Sequence, residues 1–203
     1  MGIAKENIAI ALYIGPGAEM AGWVQNILQE KKIPYLLVDP HDIRKGILRQ
    51  FELLIMPGGF TAAYIPGLKQ SGCKAIIEFL EKKGGSYLGI CAGAYIASTI
   101  ELGISKSNMV RKSGIFNCTV ELCDLTHPIF NGINQSCISV YYQNGPHIVP
   151  HPDEVPLAFY EDGSASLIET QTSHHALIFS WHPEKLPHTS SIFFNSIDYL
   201  LTK

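Results

Sequence analysis

The residues with the clearest chemical potential lie in one short stretch, Gly89-Ile90-Cys91-Ala92-Gly93. The residues before it have the apolar pattern of a buried strand, and small residues that favour a helix follow at once. A nucleophile on a sharp strand-to-helix turn needs small neighbours, because larger side chains would collide with both elements. The helix N-terminus would also favour the reactive thiolate. We therefore predict that Cys91 is a nucleophile; the alternative is a buried cysteine at the end of an apolar strand.

A candidate base occurs near the other end of the chain, in Trp181-His182-Pro183-Glu184. His182 follows an apolar strand predicted over residues 176–181, and Pro183 ends that strand. A tight turn would bring the Glu184 carboxylate to the imidazole, where it would fix the tautomer and stabilise the imidazolium. Together with Cys91, these two residues predict a Cys-His-Glu triad. The alternative is an ordinary polar turn in which Glu184 caps the final helix.

Backbone donors for an oxyanion are predicted at two places. Gly58-Gly59 follows a third apolar strand, and the backbone N–H groups of these two glycines would face the site beside that of Ala92. Two such donors suit the tetrahedral intermediate of an acyl transfer. The alternative is a Pro-Gly turn that serves only to reverse the chain.

The elements that must position these residues are those of an α/β fold. The first half alternates short, charge-free apolar runs with amphipathic segments, which is typical of a parallel sheet covered by helices on both faces. The predicted strands are residues 8–14, 35–38, 53–56 and 86–90, and the predicted helices are residues 18–31, 42–50 and 75–83.

The second half changes to short alternating stretches that are typical of antiparallel strands, with Asp162-Gly163 as a hairpin turn. These strands would extend the parallel sheet and partly complete it. A helix over residues 186–201 has apolar residues at helical spacing and should pack on the sheet. Since the sequence shows no repeat, low-complexity tract or linker, we predict a single domain over residues 1–203.

The composition and net charge of the chain indicate which kinds of molecule the protein could bind. Hydrophobic residues make up 46% of the chain and charged residues 16%, as in compact globular proteins. The net charge of −3, with no basic block, argues against nucleic acid, and the N-terminal apolar stretch is too short to cross a membrane. Five cysteines, an odd number, fit free thiols in a reducing cytoplasm. We expect a cytoplasmic protein that acts on a small-molecule or peptide amide substrate, or that meets a protein partner.

No cofactor or metal is expected. His147 and His151 have the spacing of a helical metal site, but the prolines around them exclude a helix there. No Gly-x-Gly-x-x-Gly fingerprint for a dinucleotide occurs in the sequence. Tyr141, Tyr142 and Asn144 are too polar for a plain core strand and are expected to line the pocket, although residues running from a strand into a turn have the same character.

Three segments, IMPGG, GICAG and WHPE, resemble class I glutamine amidotransferase domains in their order and approximate spacing. The longer segments IMPGGF, GGSYLGICAGAYIAS and VYYQNGP resemble more closely the amidotransferase-like N-terminal domain of eukaryotic-type biotin–protein ligases. The resemblance implies a flavodoxin-like fold, mainly a parallel sheet with helices on both faces. It also implies a triad of Cys91, His182 and Glu184, with Gly59 and Ala92 as oxyanion donors.

Two departures from these families bear on function. Tyr95 stands four residues after the nucleophile, where glutamine amidotransferases usually have a glutamine that helps to hold substrate glutamine. No Gly-Arg-Gly-Arg type motif for biotinyl-adenylate occurs in the 203 residues, so we expect that this chain does not attach biotin by itself. These departures keep open a non-catalytic module that binds a ligand or regulates a partner. The retention of all three triad residue types favours an enzyme.

A second family with this fold, the deglycase and intracellular-protease-like proteins, has a glutamate after the first strand that contacts the nucleophilic cysteine. The segment Gly17-Ala18-Glu19-Met20 resembles that region and implies the same contact for Glu19. The alternative is a glutamate in a first helical turn, where it would interact favourably with the helix dipole. Glu19, Gly58, Tyr95, Tyr142 and Asn144 are the pocket candidates.

Overall fold

The computed structural model describes residues 8–170 and 174–202, whose strands join in one eleven-stranded sheet. The strands are β1 (Ile10–Tyr13), β2 (Tyr35–Val38), β3 (Leu53–Met56), β4 (Ser86–Ile90), β5 (Asn108–Val110), β6 (Ile115–Leu122), β7 (Cys137–Gln143), β8 (His147–Val149), β9 (Val155–Tyr160), β10 (Ala165–Thr170) and β11 (His175–Phe179). The helices are α1 (Ala21–Glu30), α2 (Pro40–Arg44), α3 (Thr61–Lys83), α4 (Ala92–Ile96) and α5 (Ser190–Leu201).

The order of the strands brings distant parts of the chain to one edge of the sheet. The main path is β2-β1-β3-β4-β11-β10-β9-β6-β7, and β8 pairs with both β10 and β5. Neighbours from β2 to β11 are parallel, and neighbours from β11 onward are antiparallel. Because β3, β4 and β11 are parallel neighbours, the residues that follow them meet at the carboxyl edge, where open α/β sheets bind ligands.

Helices cover both faces of the parallel strands. Ile10 and Leu12 of β1 pack in a core with α1 and α5, whereas Ala11 and Tyr13 pack in a second core with α2, α3 and α4. This division follows from the alternation of side chains along a strand. The predicted fold class, a flavodoxin-like α/β sheet with appended antiparallel strands, is confirmed.

Several predicted boundaries differ from the observed ones. Helix α3 begins at Thr61, whereas the sequence predicted a helix that begins at residue 75. The prediction missed the first half of the helix because Pro66 and the glycines near it obscure its helical pattern. Lys69, with φ +58°, interrupts this helix. The helix predicted over residues 42–50 is divided into α2 and a 3-10 turn over Ile47–Gln50, because Gly46 between them has φ +82°.

The antiparallel half contains the predicted hairpin. Strands β9 and β10 pair, and Gly163 in the turn between them has φ +81°, which favours glycine. Strand β11 lies between β10 and β4 and is parallel to β4, with Phe179 opposite Ile90. Within residues 8–170 and 174–202, no helix combines the length and the apolar character needed to span a membrane.

Candidate active site

Cys91 lies in the turn between β4 and α4, with φ +53° and ψ −102°. Non-glycine residues rarely adopt such a conformation, which costs on the order of 1–3 kcal/mol and is found preferentially at functional sites. Its N–H group donates to the carbonyl of Phe179 at 2.8 Å, and its own carbonyl accepts from the N–H groups of Ala94 at 3.0 Å and Tyr95 at 3.2 Å. The bonds to β11 and α4 therefore hold the cysteine at the carboxyl edge of the sheet.

Two glycines allow the close packing around this turn. A Cβ atom on Gly93 would lie 2.0 Å from the carbonyl oxygen of Met56, so α4 can approach β3 only with glycine there. A Cβ atom on Gly58 would lie 2.5 Å from Cε1 of His182 and 3.3 Å from Cβ of Cys91. Gly58 thus lies directly against both the imidazole and the cysteine.

His182 and Glu184 form a buried pair just beyond β11. Nδ1 of His182 lies 2.8 Å from Oε1 of Glu184, and both side chains have no exposed surface. The backbone N–H of His182 donates to the carbonyl of Tyr141 at 3.0 Å. The rings of Trp23 and Tyr141 lie 5.2 Å and 5.9 Å from the imidazole, centroid to centroid. The second ring nitrogen, Nε2, has no hydrogen-bond partner in the described part of the chain.

The electrostatics of this pair favour a charged imidazole. Burial is the largest effect on His182 and lowers its pKa, because it disfavours the imidazolium. The Glu184 carboxylate and the adjacent Cys91 act in the opposite direction, and together they raise the pKa of His182 above its usual value. An imidazolium beside a thiol is the arrangement that stabilises a thiolate.

The thiol is directed at the end of β7. Within residues 8–170 and 174–202, Sγ of Cys91 donates to the backbone carbonyl of Gln143 at 3.2 Å, while Nε2 of His182 has no hydrogen-bond partner. Gly58 contacts both groups, so the thiol and the imidazole lie close together, but the thiol hydrogen bond is made to Gln143. Formation of the ion pair requires that this proton move to Nε2.

Both predicted oxyanion donors have an available N–H group. Among residues 8–170 and 174–202, neither Gly59 nor Ala92 donates a backbone hydrogen bond outside the regular helix and strand patterns. The neighbouring N–H of Gly93 is occupied, because it donates to the carbonyl of Pro57 at 3.2 Å. This bond holds the start of α4 against the loop that carries Gly59.

A cavity of about 240 Å³ opens beside the cysteine. Of the predicted residues, Cys91, Gly59, Tyr95 and Asn144 line it. Gly58, Ala92, His182 and Glu184 are buried behind this surface. The other lining residues, which the sequence did not single out, are Met20, Phe60, Thr61, Ala62, Arg111, Lys112, Ser113 and Gln143.

Tyr142 does not lie in the pocket, and its placement there was wrong. Its ring is fully buried and stacks on Phe116, and its hydroxyl lies 2.8 Å from the carbonyl oxygens of both Lys112 and Gly145. Successive residues of a strand face opposite sides, so Tyr141 and Gln143 face the site instead. The sequence did not reveal which side of β7 faces the site.

Glu19 matches neither of its two interpretations. It precedes α1 rather than lying in its first turn, and no hydrogen bond or ion pair joins it to Cys91. Its carboxylate instead accepts the N–H of Phe60 at 2.6 Å, at the N-terminus of α3. A carboxylate is favourable there because the N-terminal end of a helix carries positive partial charge. Glu19 therefore supports the loop that carries Gly59.

A larger cavity of about 710 Å³ lies at the opposite edge of the sheet and is lined by six cationic side chains. Several of these have a structural task. Nζ of Lys83 donates to the carbonyls of Arg49 and Phe51, and Arg44 donates to carbonyls next to the break in α3. Lys and Arg side chains are expected near the ends of helices, where backbone carbonyls lack partners within the helix. The cationic lining of this cavity therefore does not by itself indicate a second ligand-binding site. We place the candidate active site at Cys91.

Comparison with known proteins relates a central segment of the chain to one family. Residues 44–112 match the family model described as "Biotin-protein ligase, N terminal". A segment of 48 residues, 24% of this chain, is 42% identical to the biotin–protein ligase of Schizosaccharomyces pombe. That match spans 7% of the length of the yeast protein, so it says nothing of the remainder of that enzyme.

Solved structures resemble the chain over almost its whole length. PurLQS from Thermotoga maritima has a TM-score of 0.72 with 18% identity, and the match covers 96% of this chain and 99% of that one. A glutamine amidotransferase from the same organism has a TM-score of 0.67 with 17% identity, covering 97% and 84% of the two chains. At this level of identity the likeness shows the fold. The chain thus has the class I glutamine amidotransferase-like fold and resembles, in its central segment, the N-terminal domain of biotin–protein ligases.

Proposed function

We propose that this protein is a cysteine-dependent hydrolase or amidotransferase-like enzyme that attacks an amide or a related carbonyl. The observation that carries the proposal is the buried pair of His182 and Glu184, 2.8 Å apart, beside a cysteine held in a strained turn. An ordinary polar turn would not need to bury both side chains completely. A structural cysteine would not need a positive φ at the start of a helix.

The proposed reaction starts from the ion pair in which the thiol proton of Cys91 has moved to Nε2 of His182, leaving a thiolate beside an imidazolium. The thiolate then attacks the carbonyl carbon, a C–S bond forms, and the negative charge passes to the carbonyl oxygen. The N–H groups of Gly59 and Ala92 stabilise this oxyanion. The imidazolium gives its proton to the leaving amine as the C–N bond breaks, which leaves a thioester on Cys91.

Release of the product needs a second nucleophile. Water attacks the thioester carbon, His182 accepts its proton, and the C–S bond breaks to return the thiol and a carboxylic acid. Glu184 stays ionised through both halves and keeps Nε2 directed at the reacting atoms. A cavity of about 240 Å³ is below the roughly 300–1,000 Å³ of pockets for drug-sized ligands, which favours a small acyl group.

A second candidate function, a non-catalytic module that binds a ligand or regulates a partner, is favoured by the hydrogen bond from Cys91 to Gln143. This bond directs the thiol at a backbone carbonyl rather than at His182, and Tyr95 occupies the place of the glutamine that amidotransferases use. A module of this kind would keep the cavity and bind its ligand without forming a covalent bond to Cys91.

The two functions are separated by trapping an acyl-enzyme. The protein is mixed with p-nitrophenyl acetate and quenched in acid, and the peptide that contains Cys91 is examined by mass spectrometry. An enzyme shows an acetyl thioester on Cys91 together with a burst of p-nitrophenol, and Cys91→Ala abolishes both. Acetylation spread evenly over Cys91 and the exposed Cys123 and Cys137, without a burst, would contradict the proposal.

A further inference from the structure

The cavity beside Cys91 has an unusual charge for this protein. The chain contains eighteen Asp and Glu residues against fifteen Lys and Arg, yet none of the acidic side chains in residues 8–170 and 174–202 lines this cavity. Two cationic residues, Arg111 and Lys112, do line it. The wall around the nucleophile is therefore positive in a protein whose net charge is −3.

The two cations differ in what they contact. Nζ of Lys112 lies 2.8 Å from the carboxylate of Asp162, so its charge is already paired. Arg111 has no ion pair or hydrogen bond with any side chain in residues 8–170 and 174–202, and its guanidinium lies 5.9 Å from the centre of the Tyr95 ring. Arg111 thus brings an unpaired positive charge to the cavity, over the ring that stands four residues after the nucleophile.

The backbone that carries Arg111 is held in place. Asn144 binds Gly114 twice, since its Oδ1 accepts the N–H of Gly114 and its own N–H donates to the Gly114 carbonyl, each at 2.8 Å. The hydroxyl of Tyr142 donates to the carbonyl of Lys112 at 2.8 Å. The segment is therefore fixed to the end of β7, while the guanidinium remains free to bind a ligand.

We propose that the substrate of this site carries a carboxylate close to the carbonyl that Cys91 attacks, and that Arg111 binds this carboxylate. The inference rests on the proposed function and deepens it by naming the substrate class. The planar guanidinium matches a carboxylate through two parallel hydrogen bonds. A phosphate dianion would favour more than one free cation, and Lys112 already has its partner.

The test compares two alkylating reagents that differ only in charge, N-iodoacetylglycine and its neutral amide, N-iodoacetylglycinamide. In both, the thiolate displaces iodide from the same carbon. The rate at Cys91 is measured for each reagent by peptide mass spectrometry, and the ratio is divided by the ratio at the exposed Cys123. We expect this normalised ratio to favour the carboxylate by about tenfold at low ionic strength, since hydrogen bonds to charged groups are strong, and to fall as salt is added.

Substitutions identify the cation responsible. Arg111→Gln should bring the normalised ratio to about one, and Arg111→Lys, which keeps the charge but loses the paired hydrogen bonds, should give an intermediate value. Arg49→Gln removes the same charge from an exposed arginine at the opposite edge of the sheet and should leave the ratio as in the unmodified protein.

Failure of this inference is distinguishable from failure of the proposed function. If Cys91 reacts readily with both reagents at equal normalised rates, Arg111 does not select a carboxylate. The assignment of Cys91 as the nucleophile is then unaffected. A preference for the carboxylate that persists in Arg111→Gln also overturns the inference. If Cys91 reacts with neither reagent in the folded protein, the proposed function is overturned and this inference with it.

Discussion

Nδ1 of His182 lies 2.8 Å from Oε1 of Glu184, with both side chains completely buried and only two residues apart in the sequence. Removing one partner of a buried charged pair is costly, because the other charge is left in a medium that solvates it poorly. The pair therefore fixes the orientation of the imidazole and biases it toward its charged form.

Glu184→Gln should lower the pKa of His182. The substitution keeps the size of the side chain but removes the charge that raises this pKa, so burial, which lowers it, dominates. We expect a fall of about 1–3 units, which NMR titration of the His182 ring protons measures. Glu30→Gln, at the exposed end of α1, is the matched control and should leave the titration unchanged. A pKa of His182 that is the same in both variants would contradict the role of Glu184.

The pH dependence of stability follows from the same pair. The pKa of His182 is raised in the folded protein, so this residue contributes stability that is fully present below its unfolded value of about 6.5. That contribution is lost as the pH rises through the folded pKa. Urea denaturation at a series of pH values should show a decline in the free energy of unfolding above about pH 6.5. In His182→Gln the free energy of unfolding should fall less steeply with pH. Equal slopes in the variant and the unmodified protein would show that the pKa of His182 is not raised by folding.

Gly93→Ala should destabilise the fold at the site. The added Cβ would lie 2.0 Å from the carbonyl oxygen of Met56, so α4 must move away from β3. We expect a loss of about 1–3 kcal/mol in the free energy of unfolding, as for overpacked cores. Gly22→Ala is the control: nothing lies within 4 Å of that Cβ position in α1, and the helix should gain up to about 1 kcal/mol. Urea denaturation of the two variants separates the effects.

Asn144→Gly should loosen the segment that carries Arg111. Asn144 has φ +53°, a conformation that glycine adopts without cost, so the substitution removes the side-chain bond to Gly114 and little else. Hydrogen exchange of the Gly114 amide should become about three to ten times faster, as expected for one neutral hydrogen bond. The amide of Thr126, bonded to Asp124, is an internal control. Unchanged exchange at Gly114 would mean that Asn144 does not hold this segment.

The candidate residues whose location was easiest to predict from the sequence lie at, or within three residues of, the ends of apolar strands. Cys91 and Gly59 follow β4 and β3, and His182 follows β11 closely. In a parallel sheet such ends share one edge, so strand prediction alone places these residues near one another. The role of the glycines around Cys91 could also be predicted from the sequence, because a helix can pack closely against a strand at this turn only if its neighbours are small.

The rest of the site depends on register and on contacts between distant segments. A shift of one residue reverses the face of a strand, which is why the sequence placed both Tyr141 and Tyr142 in the pocket. In the structure Gln143 lines the cavity, Tyr141 lies beside His182, and Tyr142 faces the other side. Arg111 reaches the cavity because Asn144 ties the segment after β5 to the end of β7. Glu19 binds Phe60, a contact across 41 residues that no local pattern indicates.

The most direct test of the central claim is the rate at which iodoacetamide modifies Cys91 near neutral pH, with the other four cysteines as internal controls. Although only 3% of its surface is exposed, we predict that Cys91 reacts faster than the exposed Cys123 and Cys137, because thiolate is the reactive form. His182→Gln should slow the reaction at Cys91 alone, by about tenfold or more. Reaction of Cys91 only when the protein unfolds, or an unchanged rate in His182→Gln, would contradict the assignment of Cys91 as an activated nucleophile.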